Sequence, residues 1–172
     1  MKSSGGIAFT DVPADSPFAP AITQAVEQGV MTGFSDGTFG PDDGVLGQDF
    51  GVMLGRAMAG PELAGRPVPI DILSEILENP VLDIESGDPI PRLKAIILVV
   101  NSVDQARPGL IPDIQGILER LRELTGNTRE VARAGDAGLL TALDDGWTGD
   151  MMHDPMPRAE IAQLLMNLVQ LL

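Results

Sequence analysis

The sequence predicts an all-α fold, and three observations carry that expectation. Apolar residues recur at helical spacing in successive segments, clusters of Gly, Pro and Asn punctuate them, and a helix, turn-rich loop, helix unit near the start is echoed twice in looser form. Composition agrees. Of 172 residues 44% are hydrophobic but only 3% aromatic, with one Trp and no Tyr, so Leu, Ile, Val, Ala and Met must build the core. Such residues suit packed helices.

Residues 1–6 read as a flexible lead-in without the apolar core of a signal peptide. The first unit spans residues 7–60. Ser16 followed by Pro17 reads as an N-cap and first helical position, and Phe18, Ile22, Ala25, Val26 and Gly29 then share one face. Gly29 stops that helix, and the Gly, Ser, Asp and Pro residues from Gly33 to Asp43 turn the chain round. A second helix carries Phe50, Met53, Leu54, Ala57 and Met58 on its apolar stripe and ends at Gly60-Pro61.

The second unit, residues 61–108, is the most diverged. After a linker over 62–68, Asp71 is placed to cap a short helix with Ile72, Leu73, Ile76 and Leu77, which Asn79-Pro80 stops. Pro91 opens a longer helix, apolar nearly all round from Leu93 to Val103, which predicts a central, buried position. The third unit, residues 109–172, begins with Ile111-Pro112-Asp113-Ile114, an echo of Phe9-Thr10-Asp11-Val12. One helix follows with Ile117, Leu118, Leu121 and Leu124, and Thr128 caps another. Gly138-Leu139-Leu140-Thr141-Ala142 repeats the turn from Gly29 to Gly33 with Ala in the last place. Pro157-Arg158-Ala159-Glu160 opens a final helix with Ile161, Leu164, Leu165, Leu168 and Leu171 on one face.

Several chemistries find no support. A formal charge of −14 argues against nucleic-acid binding, which needs clustered Lys and Arg. The apolar run over 95–100 is too short to span a bilayer. With no Cys, thiol catalysis and Cys-based zinc sites are excluded, and His153, the single His, lacks partners for a zinc site or a triad. Asp36, Asp42 and Asp43 miss the calcium-loop spacing and its distal Glu, so turn formation is their better explanation. With no phosphate loop or nucleophile motif either, a non-catalytic protein without a cofactor is expected.

The segments Phe9-Thr10-Asp11-Val12-Pro13, 21–29, the turn Gly29-Val30-Met31-Thr32-Gly33, and Asp36-Gly37-Thr38-Phe39-Gly40-Pro41 together resemble an S-layer homology module. The order of these motifs makes the resemblance specific. It is strong over 9–58, good over 138–168 and faint between. It implies three tandem modules in a pseudo-threefold spindle around a central three-helix bundle. The implied role is anchoring at the bacterial cell surface, outside the cell, through a peptidoglycan-linked secondary cell-wall polysaccharide, typically pyruvylated, held in grooves between modules. A structural role making contacts with other S-layer protein chains is the alternative.

The family's Thr-Arg-Ala-Glu signature at the start of the second helix is matched by Pro157-Arg158-Ala159-Glu160 and, less well, by Pro91-Arg92-Leu93-Lys94; the first unit has Gly47 at the Arg position. Arg92, Arg158 and Glu160 are therefore implied at the ligand grooves. An arginine at a helix N-terminus is also physically suited to an acidic sugar. Lys94 reads either as a second cation there or as a surface charge. Asp11 and Asp113 match the family's groove-side Asp, beside an equally local role as turn or cap. Gly29, Gly33 and Gly138 first serve the backbone, and by resemblance offer amides to the groove. Trp147 reads as a sugar-stacking ring or as a lid on the core.

Overall fold

The computed structural model describes residues 8–59, 87–110, 138–143 and 150–172. Among them are four α-helices, α1 (Ala19–Glu27), α2 (Gly47–Ala59), α3 (Arg92–Ala106) and α4 (Arg158–Leu171), with a short 3-10 turn at Asp150–His153 and no strand. The all-α expectation holds for these residues. The helices expected after Asp71, Ile114 and Thr128 lie outside them, as do the 62–68 linker, Asp113 and Trp147.

Helix α1 starts later than Ser16-Pro17 implied: its N-cap is Phe18, and Pro20 stands in the first turn. Ser16 still organises the entry. It closes a preceding turn by donating its N–H to the Pro13 carbonyl, and its Oγ accepts from the Phe18 N–H at 3.3 Å. The chain thus completes one turn before it becomes helical. Pro91 and Pro157 likewise precede α3 and α4 as extended N-caps, in keeping with proline at helix starts.

Helices α1 and α2 both pack against α4. This explains why burial on α4 exceeds the single stripe its sequence suggests: Ala162, Met166 and Asn167 are buried alongside Ile161, Leu164, Leu165 and Leu168. Helix α3 is buried as its composition predicts, with Ala95, Ile96, Leu98, Val99, Val100 and Val103 fully covered. On α2 the buried Phe50, Met53, Leu54 and Ala57 are joined by Gly47, Gly51 and Gly55. Glycines four apart form a side-chain-free strip along a helix and permit close approach of a neighbour.

The segments entering α2, α3 and α4 meet one another. Ile90 N–H donates to the Val45 carbonyl at 2.7 Å and Met156 N–H to the Ile90 carbonyl at 3.0 Å, flanked by antiparallel bridges between Leu46 and Pro89 and between Pro91 and Pro155. Val45, Ile90 and Met156 bury their side chains in the core from these equivalent positions. This junction sets the first turns of the three helices side by side, where the site lies.

Candidate functional site

The loop after α1 is built by its own side chains. Gly29 has a φ of 72° and closes α1, and Phe34 with Thr38 forms a tight hairpin whose Phe34 N–H donates to the Thr38 carbonyl at 2.7 Å. Asp36 holds the tip by accepting from both the N–H and the hydroxyl of Thr38 at 3.0 and 2.6 Å, a turn role rather than an outward one. Asp11 reaches across and accepts from the Phe39 and Gly40 amides, one per carboxylate oxygen, each at 2.8 Å. The Phe39 amide is the main reason its carboxyl is held below the ordinary carboxylate range; partial burial opposes the shift and the Gly40 amide adds to it. At Gly33 a Cβ would run into the Phe9 ring, which itself lies 5.4 Å from the Phe39 ring.

This loop then receives α4. The first two helical amides, of Arg158 and Ala159, donate to the Asp43 and Pro41 carbonyls at 2.9 and 3.0 Å. Donors that a helix leaves without an internal partner are thus satisfied from the first unit. The Arg158 side chain follows the same direction. Its Nε donates to the Phe39 carbonyl at 2.9 Å and its Nη2 to the Thr32 carbonyl at 2.7 Å, while Cζ stands 4.7 Å from the Phe39 ring centroid and 5.1 Å from that of Phe34. Burial is the main influence on this guanidinium and eases loss of its proton, whereas Asp43, Asp49 and Asp11 favour the charged form. Phe34 remains half exposed.

Arg92, at the corresponding place on α3, is also buried and joins two units. Its Nε and Nη2 donate to Oε1 and Oε2 of Glu160 at 3.1 and 2.6 Å, and its Nη1 to the Met151 carbonyl at 3.0 Å. The Arg92 N–H donates to the Asp154 carbonyl, so the loop before α4 meets α3 as the first loop meets α4.

Between the first unit and α4 lies an open groove of about 380 Å³, lined by Asp11, Pro13, Ser16, Phe18, Pro41, Asp42, Pro157, Ala159 and Glu160. Its faces are largely pyrrolidine, phenyl and methyl groups, with carboxylates and a hydroxyl at intervals. That combination can hold the C–H faces of a sugar ring while accepting from its hydroxyls. The structure therefore brings Asp11 and Glu160 together at one groove and ties Arg158 and Arg92 into its surroundings. Lys94 stands partly exposed in the first turn of α3. Gly29 and Gly138 are outside the groove lining; Gly138, with a φ of 83°, opens a turn whose Leu139 and Thr141 carbonyls are held by Asn167 of α4.

Sequence reasoning missed the prolines and Phe18 as groove walls, and the carbonyls of Thr32, Phe39 and Met151 as arginine acceptors. The prolines carried a signal, since Pro13, Pro41 and Pro157 each flank a motif. The carbonyl acceptors carried none, because every residue has one.

Residues 8–50 match the S-layer homology domain family. The matched segment covers α1, the loop and the start of α2, and contributes Asp11, Pro13, Ser16, Phe18, Pro41 and Asp42 to the groove. No curated protein matches the chain. Domains of this family serve in cell-surface anchoring, so the match supports a cell-wall-binding role. No helix among the described residues is long and apolar enough to cross a membrane.

Proposed function

We propose that this chain anchors a bacterial surface protein to the cell wall, without catalysis, by holding a peptidoglycan-linked secondary cell-wall polysaccharide in grooves between helical units. The observation that carries this reading is the groove where the matched segment meets the first turn of α4. Sugar C–H faces lie against Pro13, Phe18, Pro41 and Pro157, and ring hydroxyls donate to Asp42, Ser16 and Asp11. Arg158 holds the loop that forms one wall, and beside it the exposed Phe34 offers a second stacking face. Lys94 supplies a cation for an acid-bearing sugar, such as a pyruvylated one, at a neighbouring groove. A three-unit arrangement around α2, α3 and α4 belongs to the same reading and is supported by the meeting of the segments around Val45, Ile90 and Met156.

A second reading, contacts between S-layer protein chains, is favoured by the inward direction of Arg158 and Arg92, which donate to the Glu160 carboxylate and to the Met151, Phe39 and Thr32 carbonyls. Co-sedimentation with sacculi of the encoding organism, beside sacculi stripped of their secondary polymer, separates the two. The chain is expected to pellet with native walls only, and Asp42→Trp, which fills the groove from an exposed position, to weaken pelleting by about tenfold or more. No pelleting with native walls sinks the anchoring reading and leaves assembly.

A further inference from the structure

Glu160 belongs to two places at once. It lines the groove between the first unit and α4, while its carboxylate is gripped at both oxygens by Arg92, a residue of α3 that does not line that groove. Both side chains are more than nine-tenths buried. An unpaired carboxylate in that position would be costly, and a third negative group around a space already bordered by Asp11 and Asp42.

The repeat register points the same way. Arg92, first in α3, faces Glu160, third in α4; Arg158, first in α4, has Asp49, third in α2, within electrostatic reach. By the same rotation Gly47, first in α2, answers to the third residue of α3, and that residue is Lys94 rather than an acid. The acid at the third position accompanies an arginine on the neighbouring helix and is replaced by a base where the arginine is missing.

We propose that Arg92 is a positioning residue for the adjacent groove: by holding Glu160 in a buried two-point pair, it keeps that carboxylate from presenting negative charge to an acidic glycan. This rests on the polysaccharide reading above, but assigns Arg92 a role different from direct contact with the sugar. Arg92 acts through Glu160, and the occupancy of one groove depends on a cation rooted in the helix of another unit. Arg92 pairs with Glu160, Asp11 and Asp42 line the same groove, and Arg158 stands two residues before it on α4; Asp150, His153 and Asp154 flank Met151, whose carbonyl also takes Arg92. Each variant is read against the wild type at the same pH.

The test is binding of the full chain to native sacculi from about pH 5 to about pH 8, with folding of each variant checked by circular dichroism. Arg92→Ala is expected to bind about tenfold more weakly than wild type near pH 8 and to recover towards pH 5, as protonation of carboxylates lowers the negative charge about the groove. Adding Glu160→Gln to Arg92→Ala, which removes both charges together, restores binding to within about threefold of wild type at both pH values. If the double variant stays as weak as Arg92→Ala, one of the pair touches the glycan directly and the proposal is overturned. Should Arg92→Ala fail to fold, Arg92→Lys takes its place: it keeps the charge, so a loss under about threefold without added pH dependence supports the proposal, and a pH-independent tenfold loss refutes it. Absence of wild-type binding overturns the anchoring reading itself, an outcome distinct from an unrescued double variant.

Discussion

Ala142 is the non-glycine residue with a left-handed backbone among those described, at a φ of 65°. A Cβ in that conformation crowds the following carbonyl at a cost of roughly 1–2 kcal/mol, part of which glycine returns as chain entropy in the unfolded state. The side chain is exposed, so nothing is lost by removing its methyl group. Ala142→Gly is expected to stabilise the protein by about 0.5–1 kcal/mol in urea melts; a loss of stability would show that the methyl group, rather than the backbone, matters there. Gly29 and Gly138 open equivalent turns with similar left-handed φ, and Val30 and Met31 are buried just as Leu139 and Leu140 are. At the last place the two part company: Gly33 is a glycine because Phe9 lies where its Cβ would be, whereas Ala142 carries the positive φ.

Among the elements, α4 serves as the seat of the first unit. Its residues bury the contact faces of α1 and α2, its N-terminal amides take the Asp43 and Pro41 carbonyls, and its Asn167 holds the 138–143 turn. The segment that matches the family is therefore not a folding unit by itself. A chain ending at residue 149 is expected to lose amide-exchange protection throughout α1, because Ala21, Ile22 and Ala25 lose the surface that buries them. Protection of α1 equal to that in the full chain would refute this. The same element shows how far the sequence could be read. Periodicity located α2, α3 and α4, and the all-round apolar character of α3 correctly announced its burial. The start of α1 was misjudged because two prolines compete, Pro17 in the entry turn and Pro20 in the helix, and local signals rank them equally. At the site, Asp11 and the loop glycines were legible as turn chemistry. The partners of Arg92 and Arg158 were not, since Glu160 lies 68 positions from Arg92 and the other acceptors are main-chain carbonyls.

For the whole molecule, the decisive quantity is the charge of −14. If the proposed ligand bears acid groups, the acidic chain meets a repulsion on approach that extends about 10 Å at 0.1 M salt and about three times as far at 0.01 M. Contacts inside the groove are shorter than either length. Pelleting with native sacculi is thus expected to strengthen by about threefold or more from about 0.01 to 0.15 M salt, the reverse of what a cationic binder shows. Binding that weakens steadily over this range would mean that Lys and Arg contacts dominate.

The packing of α1 onto α4 also governs when the molecule can become a folded object. The early helix has no complete seat until residues 158–171 have been delivered, so contacts that span most of the chain must close before the first unit is secure. Such long-range closure makes folding slow relative to a bundle of neighbouring helices. Until α4 is in place the first unit therefore stays pliant, and the arrival of that last helix draws the units together.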